Sequence, residues 1–168
     1  MTDEQKATLV RKLDALQIPY QLIACDPKLA DTEIFVKHYD YALQDCANTI
    51  VVKSKSGEPK FAACVVLAHC RLDVNHTIRK KLEARRVSFA GAEETQAITG
   101  MTLGGVTAIG LPDNLPLWVD SAVMDCKQIV LGGSSRDCKI VTSPCVFNHT
   151  SNTEIVTGLA KPIPVASD

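Results

Sequence analysis

Apolar residues first recur at helical spacing. Leu9, Val10, Leu13 and Leu16 follow Thr2 and Gln5, which resemble a capping box, so the pattern predicts an amphipathic helix over residues 3–16. Ile18-Pro19 ends it, Tyr20 to Ala24 reads as a short strand, and Asp26-Pro27 as a turn. Asp31 or Thr32 is a cap for a second helix running to about Leu43, with Ile34, Phe35, His38 and Ala42 on one side. Residues 48–54 are rich in β-branched side chains and residues 60–68 are mostly apolar, with Ser54-Lys55-Ser56-Gly57-Glu58-Pro59 between them. That is a hairpin whose second strand is buried on both faces. A third helix is expected from Asp73 or Asn75 to about Ala84, a strand over Val87 to Phe89, and a short helix over Ala92 to Ile98. Further strands are expected over 117–119, 128–131 and 139–142. No repeat or linker divides the chain. The expectation is one α/β (α+β) domain over 1–168, with a mixed, largely antiparallel sheet flanked by helices and with residues 150–168 as a C-terminal extension.

Composition narrows the function classes. A chain of 168 residues, 46% hydrophobic and 22% charged, buries roughly 70% of its unfolded surface, so its seven cysteines are not needed to hold a small scaffold together. The longest apolar runs, Phe61 to Ala68 and Leu117 to Val119, fall short of the ~20 residues of a membrane span. Met1 is followed by Thr2-Asp3-Glu4-Gln5-Lys6, with no basic then apolar leader, so a cytoplasmic location is the default expectation. Cys25, Cys46, Cys64, Cys70, Cys126, Cys138 and Cys145 form no CxxC pair, and no HxxxH occurs. Free, mostly buried thiols and no metal site are therefore expected. His69-Cys70 is the one adjacent pair that suggests nucleophilic chemistry, yet neighbours in a strand face opposite ways. The formal net charge of -1 excludes a generally basic protein, but six basic residues face two acidic ones between Arg71 and Arg86. Such a segment is either a solvated helix face or a track for phosphates.

The glycine segment Thr99-Gly100-Met101-Thr102-Leu103-Gly104-Gly105-Val106-Thr107-Ala108-Ile109-Gly110 fits neither a dinucleotide fingerprint nor a phosphate loop. Glycines at this density let the backbone approach a ligand and present N–H groups to a carboxylate, phosphate or oxyanion; the alternative is a tight connection.

This segment resembles the T-G…G-G-x-S-P-x-G stretch of the YbaK and prolyl-tRNA-synthetase-associated editing domains. Asn48-Thr49-Ile50-Val51-Val52 looks like the family's lysine-bearing strand, Leu72-Asp73 with Lys80-Lys81-Leu82 like its third helix, Val119-Asp120 like its V-D turn, and Val130-Leu131-Gly132-Gly133 like its later glycine pair. The resemblance spans roughly residues 4 to 148 and implies a compact α/β fold with a curved mixed sheet. It implies hydrolysis of the ester joining a wrong amino acid to tRNA by a free-standing domain acting in trans, with no metal or organic cofactor. The partners it implies are the tRNA acceptor end and a synthetase or synthetase complex. Carried over by position, Asn48, Gly105 and Thr107 are the candidate catalytic residues, and Gly104, Ala108, Gly110 and His69 the candidate substrate-binding ones. Arg79, Lys80, Lys81, Arg85 and Arg86 are the candidate tRNA contacts.

Two departures matter. The family lysine aligns with Asn48, and the Ser-Pro of the glycine loop becomes Thr107-Ala108. Lys53 lies at an odd offset from position 48 and so on the opposite strand face; Lys60 or Lys139, from neighbouring strands, are the remaining stand-ins. Loss of the lysine charge keeps a second reading open, a non-catalytic member that binds tRNA or a synthetase complex. A third is a small-molecule module built on the glycine loop.

Overall fold

The structure, a computed structural model, describes residues 1–164. Helix α1 (Asp3–Ala15) begins as predicted: the Gln5 N–H donates to Thr2 Oγ1 at 3.2 Å and the Thr2 N–H donates to Gln5 Oε1 at 2.8 Å. It buries Leu9 and Leu13. Helix α2 (Thr32–Tyr39) stops four residues before the expected end, because Asp40 turns left-handed at φ 55°. Phe35, Tyr39 and Tyr41 then stack with ring centroids 4.8 and 5.5 Å apart. The expected third helix is a π-helical turn, Val74–Ile78, continued by α3 (Arg79–Lys81). Helix α4 spans Ala92–Thr99 and α5 spans Ser121–Met124.

The hairpin is present as β2 (Ala47–Ser54) and β3 (Phe61–Leu67), in register from Ala47 opposite Leu67 to Lys53 opposite Phe61. Strand β3 is central, and alternation explains its apolar run. Ala63, Val65 and Leu67 face one core with Leu117, Ile129, Ile140 and Phe147, whereas Ala62, Cys64 and Val66 face another with Ile78, Leu82 and Trp118. With β5 (Val87–Phe89), β6 (Leu117–Asp120) and β9 (Thr153–Val156), the hairpin makes a sheet of order β5-β2-β3-β6-β9 in which the β3–β6 and β6–β9 pairs are parallel. A second sheet, antiparallel throughout, has order β1-β8-β7, from Tyr20–Ala24, Cys138–Thr142 and Ile129–Gly132. Strands β4 (Cys70–Leu72) and β10 (Ala160–Pro162) pair antiparallel. The mixed, mostly antiparallel α/β architecture agrees with the expectation.

Strands β4, β9 and β10 and helix α5 were not expected, and β9 and β10 lie within the stretch read as a C-terminal extension. Asp120 ties that stretch down, its Oδ1 accepting from the Ala160 N–H at 3.1 Å and its Oδ2 from the Ala122 N–H at 3.3 Å. All seven cysteines are free, and burial pushes the Cys64 thiol up to about 12. Among the described residues no helix is long and apolar enough to cross a membrane.

Candidate active site

Among the described residues, the outer edge of β2 has a gap between its partners. The Ala68 N–H donates to the Cys46 carbonyl and the Ser54 N–H to that of Lys60, so even-numbered residues of β2 turn their main-chain groups toward β3. Odd-numbered residues therefore point to the other edge. There the Ala90 N–H reaches the Val51 carbonyl at 2.8 Å, β5 pairs with residues 52–54, and Cys46 bridges Val130 of β7. Ala47 and Thr49 are the odd-numbered residues between these partners, and Thr49, its N–H and C=O turned away from β3, lines the opening where the two sheets part. A cleft of about 440 Å3 opens at that point, walled by the 30–32 loop, β2 residues 48–51, β5, α4, the glycine segment and Lys139 of β8.

The polar groups there come from separate elements. Asn48 Oδ1 accepts from Thr32 Oγ1 at 2.9 Å, which leaves the Asn48 NH2 to donate. Asp31 is held at 3.0 Å by the Arg136 guanidinium, whose hydrogen bond and charge lower the Asp31 pKa. Lys139 is only 7% exposed; its Nζ donates to the Ala30 carbonyl at 2.8 Å and lies 5.3 Å from the centroid of the Phe35 ring. Burial lowers its pKa. Phe89 and Leu103, 56% and 51% exposed, form an apolar rim.

Thr49 and Thr95 also line the cleft, and their hydroxyl oxygens are buried without a hydrogen-bond partner among the described residues. An unpaired buried hydroxyl costs stability that an apolar group of the same shape does not. Thr95→Val is expected to stabilise the fold by about 1 kcal/mol, read as a higher melting temperature.

The glycine segment divides between two sides of the molecule. Leu103, Gly104 and Val106 wall the Asn48 cleft, and Gly104 has φ 85° with its α-carbon against Arg136. The chain then runs through the interior, with Val106, Thr107, Ala108 and Ile109 all buried. Gly110 emerges beside α1, in a separate hollow also lined by Ala108, where Lys12 Nζ donates to the Gly110 carbonyl at 2.8 Å. The expected donors of the segment are largely engaged internally. The Gly105 N–H donates to the Thr102 carbonyl at 2.9 Å, the Thr107 N–H to Met101 Sδ at 3.4 Å, and the Ile109 N–H to Thr107 Oγ1 at 3.2 Å. Gly105 permits close packing instead: a Cβ there would run into the backbone of Ser135.

Of the other sequence candidates, His69 lies in the β3–β4 turn, its carbonyl accepting from the Ile163 N–H, and it is not on the cleft wall. Lys53 pairs with Glu94 at 2.5 Å and Lys60 with Glu83 at 3.0 Å, so of the three lysines weighed as stand-ins only Lys139 reaches the cleft. In the basic segment Lys81 is engaged with Glu154 at 2.7 Å and with the Trp118 ring at 4.8 Å. Arg79, Lys80, Lys81 and Arg85 line a shallow surface hollow, and Arg86 immediately precedes β5. Arg86 lies three strand steps from Phe89 at the cleft mouth, about 10 Å. The residues that sequence reasoning passed over are Asp31 and Thr32, taken only as helix caps, and Thr49, Phe89 and Thr95. The signal for Thr49 was available in the hairpin register. Thr95 carries no local signal.

The profile of the aminoacyl-tRNA editing domain matches residues 26–147, a stretch that contains Asn48, Thr49, Thr95, the glycine segment and Lys139. The chain belongs to the aminoacyl-tRNA editing domain family. Solved structures agree on the fold. A hypothetical protein, APE2540, superposes with a TM-score of 0.78 at 20% identity, over 93% of this chain and 99% of that one. A candidate trans-editing enzyme for prolyl tRNA synthetase superposes with a TM-score of 0.73 at 13% identity, over 92% and 98%. At such identities both likenesses speak for the editing-domain fold alone. The cleft of this editing-family chain carries an amide at position 48 and a lysine arriving on β8.

Proposed function

We propose that the protein hydrolyses the ester between a wrongly attached amino acid and the 3′ end of tRNA, acting in trans. The observation that carries this reading is the gap in the β2 ladder. In an editing-family chain, Asn48, whose NH2 is left to donate, and Thr49, whose N–H turns away from β3, line one cleft that has room for an aminoacyl group.

An aminoacyl ester is already activated, so water suffices as nucleophile once it is positioned and the developing oxyanion is held. Loss of a single oxyanion donor typically costs ~10²–10³ in rate. The Asn48 amide and the Thr49 N–H are suited to that task, and the Thr49 carbonyl is an acceptor for the substrate α-ammonium. The Phe89 and Leu103 rim offers an apolar face to the terminal base, and Arg85 and Arg86, just before β5, lie in reach of the acceptor-stem phosphates. A trans-editing partner of a synthetase would meet its substrate after release from that enzyme.

Single-turnover assays on a panel of mischarged tRNAs test the proposal. Turnover is expected on at least one member, reduced about tenfold or more in Asn48→Ala through loss of an oxyanion donor. No turnover on any member removes the enzyme reading. It would favour the second reading, tRNA binding without cleavage, to which the uncharged Asn48 already points.

A further inference from the structure

Lys139 is out of place by the rules of protein interiors. On β8 it shares a face with Val141, and its stem runs into a cluster of Cys25, Ala30, Phe35, Cys46 and Val130. An ammonium buried there has three N–H groups and, among the described residues, one acceptor, the Ala30 carbonyl. The carboxylate in the same cleft, Asp31, is bound to Arg136. The Phe35 ring returns part of the lost hydration. A buried charge without a counter-ion lowers stability, and an apolar side chain of similar length packs there at less cost. Lys139 nevertheless lines the cleft that holds Asn48 and Thr49, as does Ala30, whose carbonyl its Nζ reaches. The strand beside it helps, since Gly132 stands opposite Lys139 in register and places no side chain between.

We infer that Lys139 is the cation of this site, its ammonium holding the carbonyl oxygen of the aminoacyl ester and the negative charge that gathers on that oxygen when water attacks. The inference deepens the proposed deacylation and rests on it for the identity of the ligand. A charged donor makes a hydrogen bond about twice as strong as an amide does, so Lys139 complements Asn48 across the cleft. The attacking water loses its proton to solvent or to the departing terminal ribose oxygen, and Lys139 stays protonated throughout. The groups facing it are Cys25, Cys46, Arg136 and Asp31. Because burial lowers its pKa, activity should fall as pH rises through that lowered value, when the ammonium becomes a neutral amine.

The experiment compares wild type, Lys139→Met and the double variant Asn48→Lys with Lys139→Met. Three quantities are read: single-turnover deacylation against pH, binding of a non-hydrolysable amide analogue of aminoacyl-adenosine, and melting temperature. Lys139→Met should lose at least tenfold in turnover, lose the alkaline fall in its pH profile, bind the analogue at least fivefold more weakly, and melt no lower than wild type. Moving the ammonium across the cleft in the double variant should restore part of the activity, which a merely structural role would not allow. Wild-type turnover and binding in Lys139→Met would overturn the inference. If wild type cleaves nothing yet binds the analogue in a Lys139-dependent way, the deacylase reading falls and the cation site stands. If it neither cleaves nor binds, both fall.

Discussion

Gly105→Ala is expected to melt well below the wild type, despite adding a single methyl group. The new Cβ would overlap the backbone carbon, oxygen and Cα of Ser135, and neither partner is the movable end of a side chain. Overpacking of this kind costs about 1–3 kcal/mol, and more where the obstacle is main chain. At roughly 2–4 °C per kcal/mol for a chain of this size, a fall of about 2–12 °C follows. Gly105 packs here with the turn that precedes β8, and Gly132 of β7 is in turn pressed against the carbonyls of Gly105 and Val106. Prising these apart moves Gly104 and Val106, so the cleft should lose ligand affinity along with stability. Calorimetry on Gly105→Ala beside Gly100→Ala separates the two possible causes. Gly100 has a positive φ but open space around it, so its variant reports conformational strain alone.

Phe35→Ala is expected to be about as damaging by the opposite route. The ring is 1% exposed, stacked on Tyr39 and Tyr41, and packed with Cys25, Cys46, Val130 and Val141. Truncating a buried phenylalanine typically costs about 3–5 kcal/mol, the transfer loss plus the cavity left behind, or roughly 6–20 °C in melting temperature. It also leaves Lys139 over a void instead of a π face. Chemical denaturation should show a lower midpoint with little change of slope if the fold stays cooperative. Phe35→Leu, which keeps most of the volume but no quadrupole, should recover much of the loss.

Much of the fold was legible because it is written in periodicity. The capping box at Thr2, the β2–β3 hairpin and the double-sided burial of β3 all follow from local pattern and appear where expected. The missed strands are short, half-exposed edges whose pairing partners lie far along the chain, such as β10 against β4. Helix α2 ends before the apolar periodicity does, because a left-handed Asp40 has no hydrophobic signature. Asn48 and Gly104, candidates by resemblance, share a cleft. Glycine density, however, does not tell an anion loop from a close-packed crossing, and at Gly105 it was the crossing. Lys139 stood among the sequence candidates, but only the three-dimensional meeting of β8 with β2 distinguishes it from Lys53 and Lys60.

The gap in the β2 edge has a consequence beyond ligand binding. An unpaired strand edge is usually a template on which other chains add, and proteins blunt such edges with charge, proline or cover. Here the open stretch is short, closed at one end by the Cys46–Val130 bridge and at the other by the bond from Ala90 to Val51. A foreign strand needs several consecutive partners to gain a foothold, whereas a single amino-acid unit needs only one. The opening thus stays accessible to a small guest without making the protein prone to self-association.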